Sequence, residues 1–205
     1  MTQSSSRRRK VLALLAAGAV VGVGGAYTLA AWNDSEFALA GFGSGHFNLE
    51  GSLSATDGFA EHSTTGAAAQ LDNVNFDADT SNMVPGETSY DSFYVRLDAA
   101  TTVDGSLAQG AITGGGATEQ YGYTVRAIGA TDVCDATAAG TVVGQGDNLT
   151  TNTATGSVDL AQGAGSGVAG AVVQLCIAVT ASDELAQDAA ATVNWEFVAT
   201  SADPA

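Results

Sequence analysis

The sequence predicts an all-β fold, a two-sheet antiparallel sandwich that follows a helical N-terminal segment. Several stretches alternate apolar and polar residues with a period of two, which is typical of strands with one buried face and one solvated face. Glycine-rich stretches separate them, at residues 114–116 and 163–167. A rhythm of helices between strands is missing, so a sandwich is favoured over a parallel α/β fold.

The chain begins with the features of a signal peptide. Basic residues 7–10 precede an apolar run from Val11 to Tyr27, and Thr28-Leu29-Ala30 offers short residues where a signal peptidase would cut. We therefore predict a signal peptide over residues 1–30, cleaved between Ala30 and Ala31. One alternative is an uncleaved anchor, because the run approaches the length of a bilayer span. Another is a twin-arginine signal, which residues 8–12 partly resemble.

The predicted strands follow in order, each with an apolar face. Their inward residues are Phe47, Leu49 and Leu53; Phe93, Val95 and Leu97; Tyr121, Tyr123 and Val125; Val173, Leu175, Ile177 and Val179; and Val193, Trp195 and Phe197. Residues 140–168 are rich in Gly, Thr, Asn and Ser, and we predict a loop there with one short strand at residues 157–160. Residues 183–187 suggest a helical turn or a short helix between the last two strands.

The two cysteines suggest a disulfide in an exported chain. Cys176 falls on the outer face of a predicted core strand, and Cys134 lies in a predicted loop. An even number of cysteines in an exported protein is usually paired. We therefore expect a Cys134–Cys176 bridge that fastens a long loop to the outside of that strand.

Charge limits the classes of partner. After cleavage, only Arg96 and Arg126 would face all 22 acidic residues, a net charge of −20. Such a surface repels nucleic acid and anionic lipid, so we expect no nucleic-acid binding and membrane contact only through the signal peptide. One interpretation of this charge is that dense like charge keeps the protein soluble or suits it to a salt-rich habitat. The alternative interpretation is that cations are needed before copies approach one another.

Residues with catalytic or metal-binding chemistry are few. The chain has two histidines, His46 and His62, and it lacks both an H-E-x-x-H motif and a G-x-S-x-G elbow. We expect no enzyme activity, no catalytic residues, no cofactor and no metal centre. The densest oxygen ligands lie between Asp72 and Asp79, but their spacing differs from an EF-hand. A solvated acidic loop or strand edge is the preferred interpretation there, and calcium binding is the alternative.

Three motifs carry a resemblance to a known family. The first runs from Gly24 through Trp32-Asn33-Asp34 and Phe37-Ala38 to residues 45–52. The second is residues 83–88, Met-Val-Pro-Gly-Glu-Thr, and the third is an alanine run at 189–191 before a last strand at 192–201. In these the chain resembles the TasA and camelysin (CalY) precursors that a SipW-type signal peptidase cleaves.

The resemblance implies a jelly-roll-like topology and a function. Members of that family build extracellular fibres of the biofilm matrix, so the chain would be a secreted or cell-surface fibre subunit. Residues 31–44 would supply a donor strand, anchored by Trp32, Phe37 and Leu39, and residues 45–205 the sandwich domain. The partners would be further copies of the chain or a related matrix subunit, besides the SipW-type peptidase.

A second hypothesis remains open from the residues alone. A monomeric adhesin or carbohydrate-binding sandwich would use its loops and exposed aromatic residues. The tyrosines available for this are Tyr90, Tyr94, Tyr121 and Tyr123.

Overall fold

The computed structural model describes residues 4–27, 36–41, 43–71 and 80–202 of the 205-residue chain. The described chain forms two compact units, Met1–Gly43 and Ser44–Ala205. The first contains helix α1 (Ser4–Tyr27), which covers most of the predicted signal peptide. None of the described helices combines the length and apolar character that a membrane crossing requires.

The second unit is a β-sandwich, as predicted. Its strands in chain order are β1 (Leu49–Ser52), β2 (Thr88–Leu97), β3 (Gly105–Gly116), β4 (Tyr121–Gly129), β5 (Thr141–Gly146), β6 (Val158–Leu160), β7 (Val173–Ala181) and β8 (Ala191–Ser201). Short 3-10 helices lie at Thr65–Ala67 and Thr118–Gln120. One sheet has five strands in the order β1-β2-β7-β4-β5, and the other has three in the order β6-β3-β8.

All strand pairs in the described chain are antiparallel. The chain crosses repeatedly between the sheets, so β7 lies between β2 and β4 while β3 lies between β6 and β8. This repeated crossing is shared with jelly rolls, in which two sheets exchange successive strands. The division into five and three strands leaves the second sheet narrower than the first.

The core lies between the sheets and is built by the predicted alternation. Val95 and Leu97 of β2, Val125 of β4, and Leu175 and Ile177 of β7 are each at most 1% exposed. Leu107, Val143 and Leu160, from β3, β5 and β6, are equally buried. Burying each such side chain contributes roughly 1.5–3 kcal/mol relative to an exposed one, so this alternation is what specifies the two sheets.

Four details differ from the sequence-based expectations. Strands β3 and β5 fall where glycine-rich sequence predicted interruptions or loop. Leu53 lies beyond the end of β1 and is 42% exposed, because the chain turns away after Ser52. Residues 183–187 contain hydrogen-bonded turns, with the Leu185 N–H donating to the Ser182 carbonyl oxygen, and do not form the short helix that was one of the two predictions. The short predicted strand at 157–160 is confirmed as β6.

The disulfide prediction is confirmed. Cys134 and Cys176 are bonded, with their Cα atoms 5.2 Å apart. Beside them, Gln174 is 2% exposed although it lies on the outer face of β7. In the orientation that satisfies both ends of its carboxamide, Gln174 donates to the backbone oxygens of Gly129 and Asp132 and accepts from Ser92 Oγ. The loop after β4 therefore covers this face and is held by one covalent bond and several hydrogen bonds.

Candidate functional site

Strand β8 forms one edge of the three-stranded sheet. It pairs with β3 along nearly its whole length, and in the described part of the chain no strand pairs with its other side. Strand β1, at the edge of the larger sheet, differs because Gly51 exchanges two backbone hydrogen bonds with Ala60. An unpaired edge presents a row of N–H and C=O groups on which another strand can form hydrogen bonds.

The side chains of β8 alternate between a polar row and an apolar row. Thr192, Asn194 and Glu196 are exposed, whereas Val193, Trp195 and Phe197 are only half-buried although they pack on the core. Apolar side chains on the inner face of a complete sandwich are normally covered from both sheets. The partial burial indicates that the sandwich is open beside β8.

A cleft of about 950 Å³ occupies this opening. Its walls come from β1, β2 and β8 and from the connection between β1 and β2, and its apolar surface includes Phe47, Leu49, Phe93, Trp195 and Phe197. Glu61, His62 and Glu196 add polar groups. The cleft is therefore an apolar groove with a charged rim, placed directly beside the free edge of β8.

Two aromatic pairs join the sheets at the base of the cleft. Phe93 and Phe197 have ring centroids 6.1 Å apart with planes inclined by 27°. Tyr123 and Trp195 are 5.9 Å apart and inclined by 57°. Offset and tilted pairs at such distances add about 0.5–1.5 kcal/mol each beyond their buried area. These pairs stabilise the packing of β8 against the larger sheet.

Gly51 shapes the opposite wall. A Cβ atom at this position would overlap Cζ of Phe93. Any side chain here would force the Phe93 ring out of its place against Phe197, because the two atoms would be far closer than van der Waals contact. The glycine therefore lets an aromatic ring fill the space above β1.

A buried polar group lies in the core beside Trp195, one of the residues that line the cleft. The Gln109 Nε2 donates to the hydroxyl of Tyr123 at 2.6 Å, and that hydroxyl donates to the backbone oxygen of Thr151. Burial raises the pKa of Tyr123 above its ordinary value of 10.0, and the hydrogen bond from Gln109 offsets part of that rise. The Trp195 Nε1 and the Gln109 Oε1 are buried without a hydrogen-bond partner among the described residues.

The rim residues are held by backbone contacts. The Glu196 Oε2 accepts from the Ala111 N–H at 2.9 Å, next to the register shift that β3 makes between Gln109 and Ile112. His62 Nδ1 lies 2.8 Å from the Ala67 carbonyl oxygen, and its ring lies 6.4 Å from that of Phe93. These contacts place an acidic group and an imidazole at the mouth of the cleft.

The other histidine stabilises the entry into β1. His46 Nε2 lies 3.1 Å from the Asp98 carboxylate, which also accepts hydrogen bonds from Thr101 Oγ1 and from the backbone of Ala100 and Thr101. Burial opposes ionisation of Asp98, but these hydrogen bonds outweigh it and lower its pKa below 3.8. Within the described residues no three His, Cys, Asp or Glu side chains converge as metal ligands would.

The predicted donor-strand residues fall partly within the described chain. Phe37 is 96% exposed and Leu39 is fully exposed, and residues 36–41 have no regular secondary structure. Trp32, the predicted cleavage site Ala30–Ala31 and the acidic run 72–79 lie outside the described residues. Two bulky apolar side chains are therefore exposed to solvent in the segment that the sequence predicts as a donor strand.

The sequence analysis did not identify the cleft. Its residues come from segments far apart in the chain, and its large apolar side chains are predicted from the sequence simply as part of the core. The sequence signal that could have indicated the cleft is the alternation of Val193, Trp195 and Phe197 with polar residues in the last strand. That strand can accept another strand only if it lies at the edge of its sheet. Its position at the edge depends on the strand order, which is set by the tertiary fold.

Comparison with known proteins adds no family assignment. The chain matches no protein-family model, and no curated protein is similar to it in sequence. The resemblance to the TasA and camelysin precursors therefore rests on the three motifs themselves.

Proposed function

We propose that this protein is a secreted structural subunit that assembles into extracellular matrix or cell-surface fibres by donor-strand exchange. Residues 31–40 of one copy would pair with the free edge of β8 in the next copy. Phe37 and Leu39 would then cover the cleft, and Trp32, on the other face of the donor strand, would make a third apolar contact. The observation that carries the proposal is an edge of β8 that no described strand pairs with, beside an apolar groove.

The dimensions of donor and acceptor agree. Ten extended residues span about 33 Å at the rise of an antiparallel strand. Strand β8 has 11 residues, so the donor could pair with it over most of its length. Main-chain hydrogen bonds would give affinity in such β-augmentation, and the side chains that enter the groove would give specificity.

The exposed apolar side chains give the exchange a driving force. Phe37 and Leu39 are two residues apart, so both point to the same face of an extended strand. Moving a phenylalanine or leucine from water into an apolar groove contributes roughly 1.5–3 kcal/mol each. Because donor and acceptor lie at different places on one chain, the contact is head-to-tail and need not close, and fibres are the expected product.

Export is supported by two independent features. The basic residues, the apolar run and the short residues before Ala31 have the order of a signal peptide. The Cys134–Cys176 bond is of a kind that persists in oxidising compartments outside the cytosol. Both features agree with a chain that works outside the cell.

The test compares the mature protein with a form that lacks residues 31–40. We expect filaments by electron microscopy and fast sedimentation for the intact protein, and folded monomers for the truncated one. Phe37→Asp should abolish polymerisation too, because a carboxylate would have to lose its hydration in the groove. Ala38→Asp, with its side chain on the other face of the donor, is the matched control and should still polymerise.

Two results would contradict the proposal. Filaments that form equally well without residues 31–40 would eliminate this donor strand. Intact protein that stays monomeric at every salt concentration and pH would eliminate the fibre function. The salt series is needed because a net charge of −20 makes copies repel, and added salt screens that repulsion.

A monomeric binding module is the second candidate, favoured by the size of the cleft. Ligand sites commonly occupy about 300–1,000 Å³ and are mostly apolar with a few polar groups. The tyrosines considered for carbohydrate binding are less suited to it, because Tyr121 and Tyr123 are 8% and 3% exposed and belong to the core. Dispersed particles that bind a ligand in the cleft would favour this function.

A further inference from the structure

A tight turn after β5 carries the tripeptide Asn148-Leu149-Thr150. Leu149 is 3% exposed, and its N–H donates to the Thr118 carbonyl oxygen at 3.1 Å. The middle residue thus anchors the turn to the domain. Thr150 is exposed and Asn148 is half-buried, so the two outer residues lie at the surface.

The Asn148 side chain is held by its oxygen. Its Oδ1 accepts hydrogen bonds from the Thr150 N–H at 2.9 Å, from Thr150 Oγ1 at 2.7 Å and from Thr151 Oγ1 at 3.2 Å. The Nδ2 atom donates to no other described residue and is not among the buried polar atoms that lack a partner. The amide nitrogen of Asn148 is therefore fixed in direction and open to solvent.

Asn152, four residues on, provides a contrast within the same loop. Its Nδ2 donates to the Gln109 backbone oxygen at 3.2 Å, and its Oδ1 accepts from the N–H groups of Gln145 and Ala154. Both ends of that carboxamide are used to hold the loop on β3 and β5. The loop therefore has one structural asparagine and one whose nitrogen has no structural role.

We propose that Asn148 is an N-glycosylation site. Asn-x-Thr is the acceptor sequence for this modification, and it is used on the surface of secreted proteins. Here the Thr150 hydroxyl is hydrogen-bonded to the Asn148 oxygen, so it polarises the same amide group whose nitrogen is exposed. The proposal rests on export of the chain, because the modification belongs to secreted proteins.

The co-substrate would be an oligosaccharide attached through its C1 atom to a polyprenyl phosphate or pyrophosphate. A bond forms between Nδ2 of Asn148 and C1, and the bond between C1 and the phosphate oxygen breaks. The lipid phosphate leaves with the electron pair, and a base of the transferase takes one Nδ2 proton. Nothing is oxidised or reduced.

The test uses the mature protein from the medium of the source cells, cleaved on the N-terminal side of aspartate. This releases residues 147–158, which contain Asn148 but not the disulfide. We expect a mass increase equal to a whole number of sugar residues on this peptide. Asn148→Gln and Thr150→Ala should return it to its unmodified mass, whereas Thr150→Ser should keep the modification because the hydroxyl remains.

The outcomes separate this proposal from the proposed function. The same spectra report the N-terminus of the protein. Unmodified Asn148 in protein that begins at Ala31 would overturn the glycosylation proposal alone. Unmodified Asn148 in protein that retains residues 1–30 would overturn the glycosylation proposal together with the predicted cleavage that frees the donor segment. A modification that persists in Thr150→Ala would also overturn the proposal, since it would not depend on the acceptor sequence.

Discussion

Gln109 and Tyr123 form a hydrogen bond of 2.6 Å that joins the two sheets through the core. Gln109 belongs to β3 in the narrow sheet and Tyr123 to β4 in the wide one, and both residues are buried. The contact fixes the polar end of Gln109 in the core. The Tyr123 ring also packs against Trp195, which lines the cleft.

Tyr123→Phe should destabilise the domain by about 1–3 kcal/mol, the usual cost of leaving a buried donor unsatisfied. The Gln109 Nε2 would lose its partner, and its Oε1 already has none among the described residues. Urea unfolding of the mature domain would measure the change. Tyr94→Phe, whose hydroxyl makes no hydrogen bond in the described chain, is the control and should change stability by less than about 0.5 kcal/mol. Equal effects of the two variants would contradict the prediction.

Loss of the disulfide should have a larger effect. Cys134 and Cys176 are 42 residues apart, and closing a loop of that length in the unfolded chain stabilises the fold by about 4 kcal/mol. We expect Cys134→Ala with Cys176→Ala to lower the free energy of unfolding by an amount of that order. Reduction of the native protein should reproduce the effect. A double variant as stable as the oxidised protein would show that the loop after β4 is held by its hydrogen bonds alone.

The lowered pKa of Asp98 predicts that the folded domain loses stability in acid. The Asp98 pKa in the folded state lies below 3.8, so its contribution is complete above that value and is lost as pH falls through the folded pKa. Asp98→Asn should therefore be less stable than the native protein at neutral pH, and the difference should shrink below pH 3.8. Thermal unfolding across pH measures this. Asp57→Asn, at an exposed position without side-chain hydrogen bonds in the described chain, is the control and should change stability at neutral pH by less than about 0.5 kcal/mol.

A mixing experiment tests the direction of assembly. Val193 is half-buried and lines the cleft, so Val193→Asp should block the acceptor, while Phe37→Asp blocks the donor. Each variant alone should stay monomeric. An equimolar mixture should form dimers and stop there, since only one donor and one acceptor remain functional in each pair. Sedimentation velocity distinguishes the species.

Thr200→Asp is the matched control for the acceptor variant. Thr200 lies on the same strand and is exposed on the polar row of β8, but it does not line the cleft. It should polymerise like the native chain at the same salt concentration. Long fibres from the mixture of blocked variants would contradict a single donor and a single acceptor for each copy.

Much of the sandwich could be predicted because its strands bury one face. Strands β2, β4, β7 and β8 alternate large apolar residues with polar ones, and all four were predicted. Strand β3 was missed because Gly, Ala and Ser occupy much of it, and its pairing with β8 is what makes those residues a strand. Strand β5 likewise contributes only a few large apolar side chains, of which Val143 is fully buried.

The disulfide could be predicted from the sequence, whereas the candidate site could not. The pairing of Cys134 with Cys176 followed from a count of two and the outward position of Cys176 in a clear strand. The cleft depends on which strand ends each sheet, and that order arises from contacts between residues distant in sequence. Periodicity reports which side of a strand is buried, but it does not report what lies beside the strand.

The Cys134–Cys176 bond also divides the four sheet edges into two kinds. Strands β5 and β6, one edge from each sheet, lie inside the covalent ring, whereas β1 and β8 lie outside it. A strand inside the ring is tethered at both ends, so it can detach only when the ring as a whole loosens. Strands β1 and β8 can fray singly, and their amide protons should exchange with deuterated water sooner than those of β5 and β6.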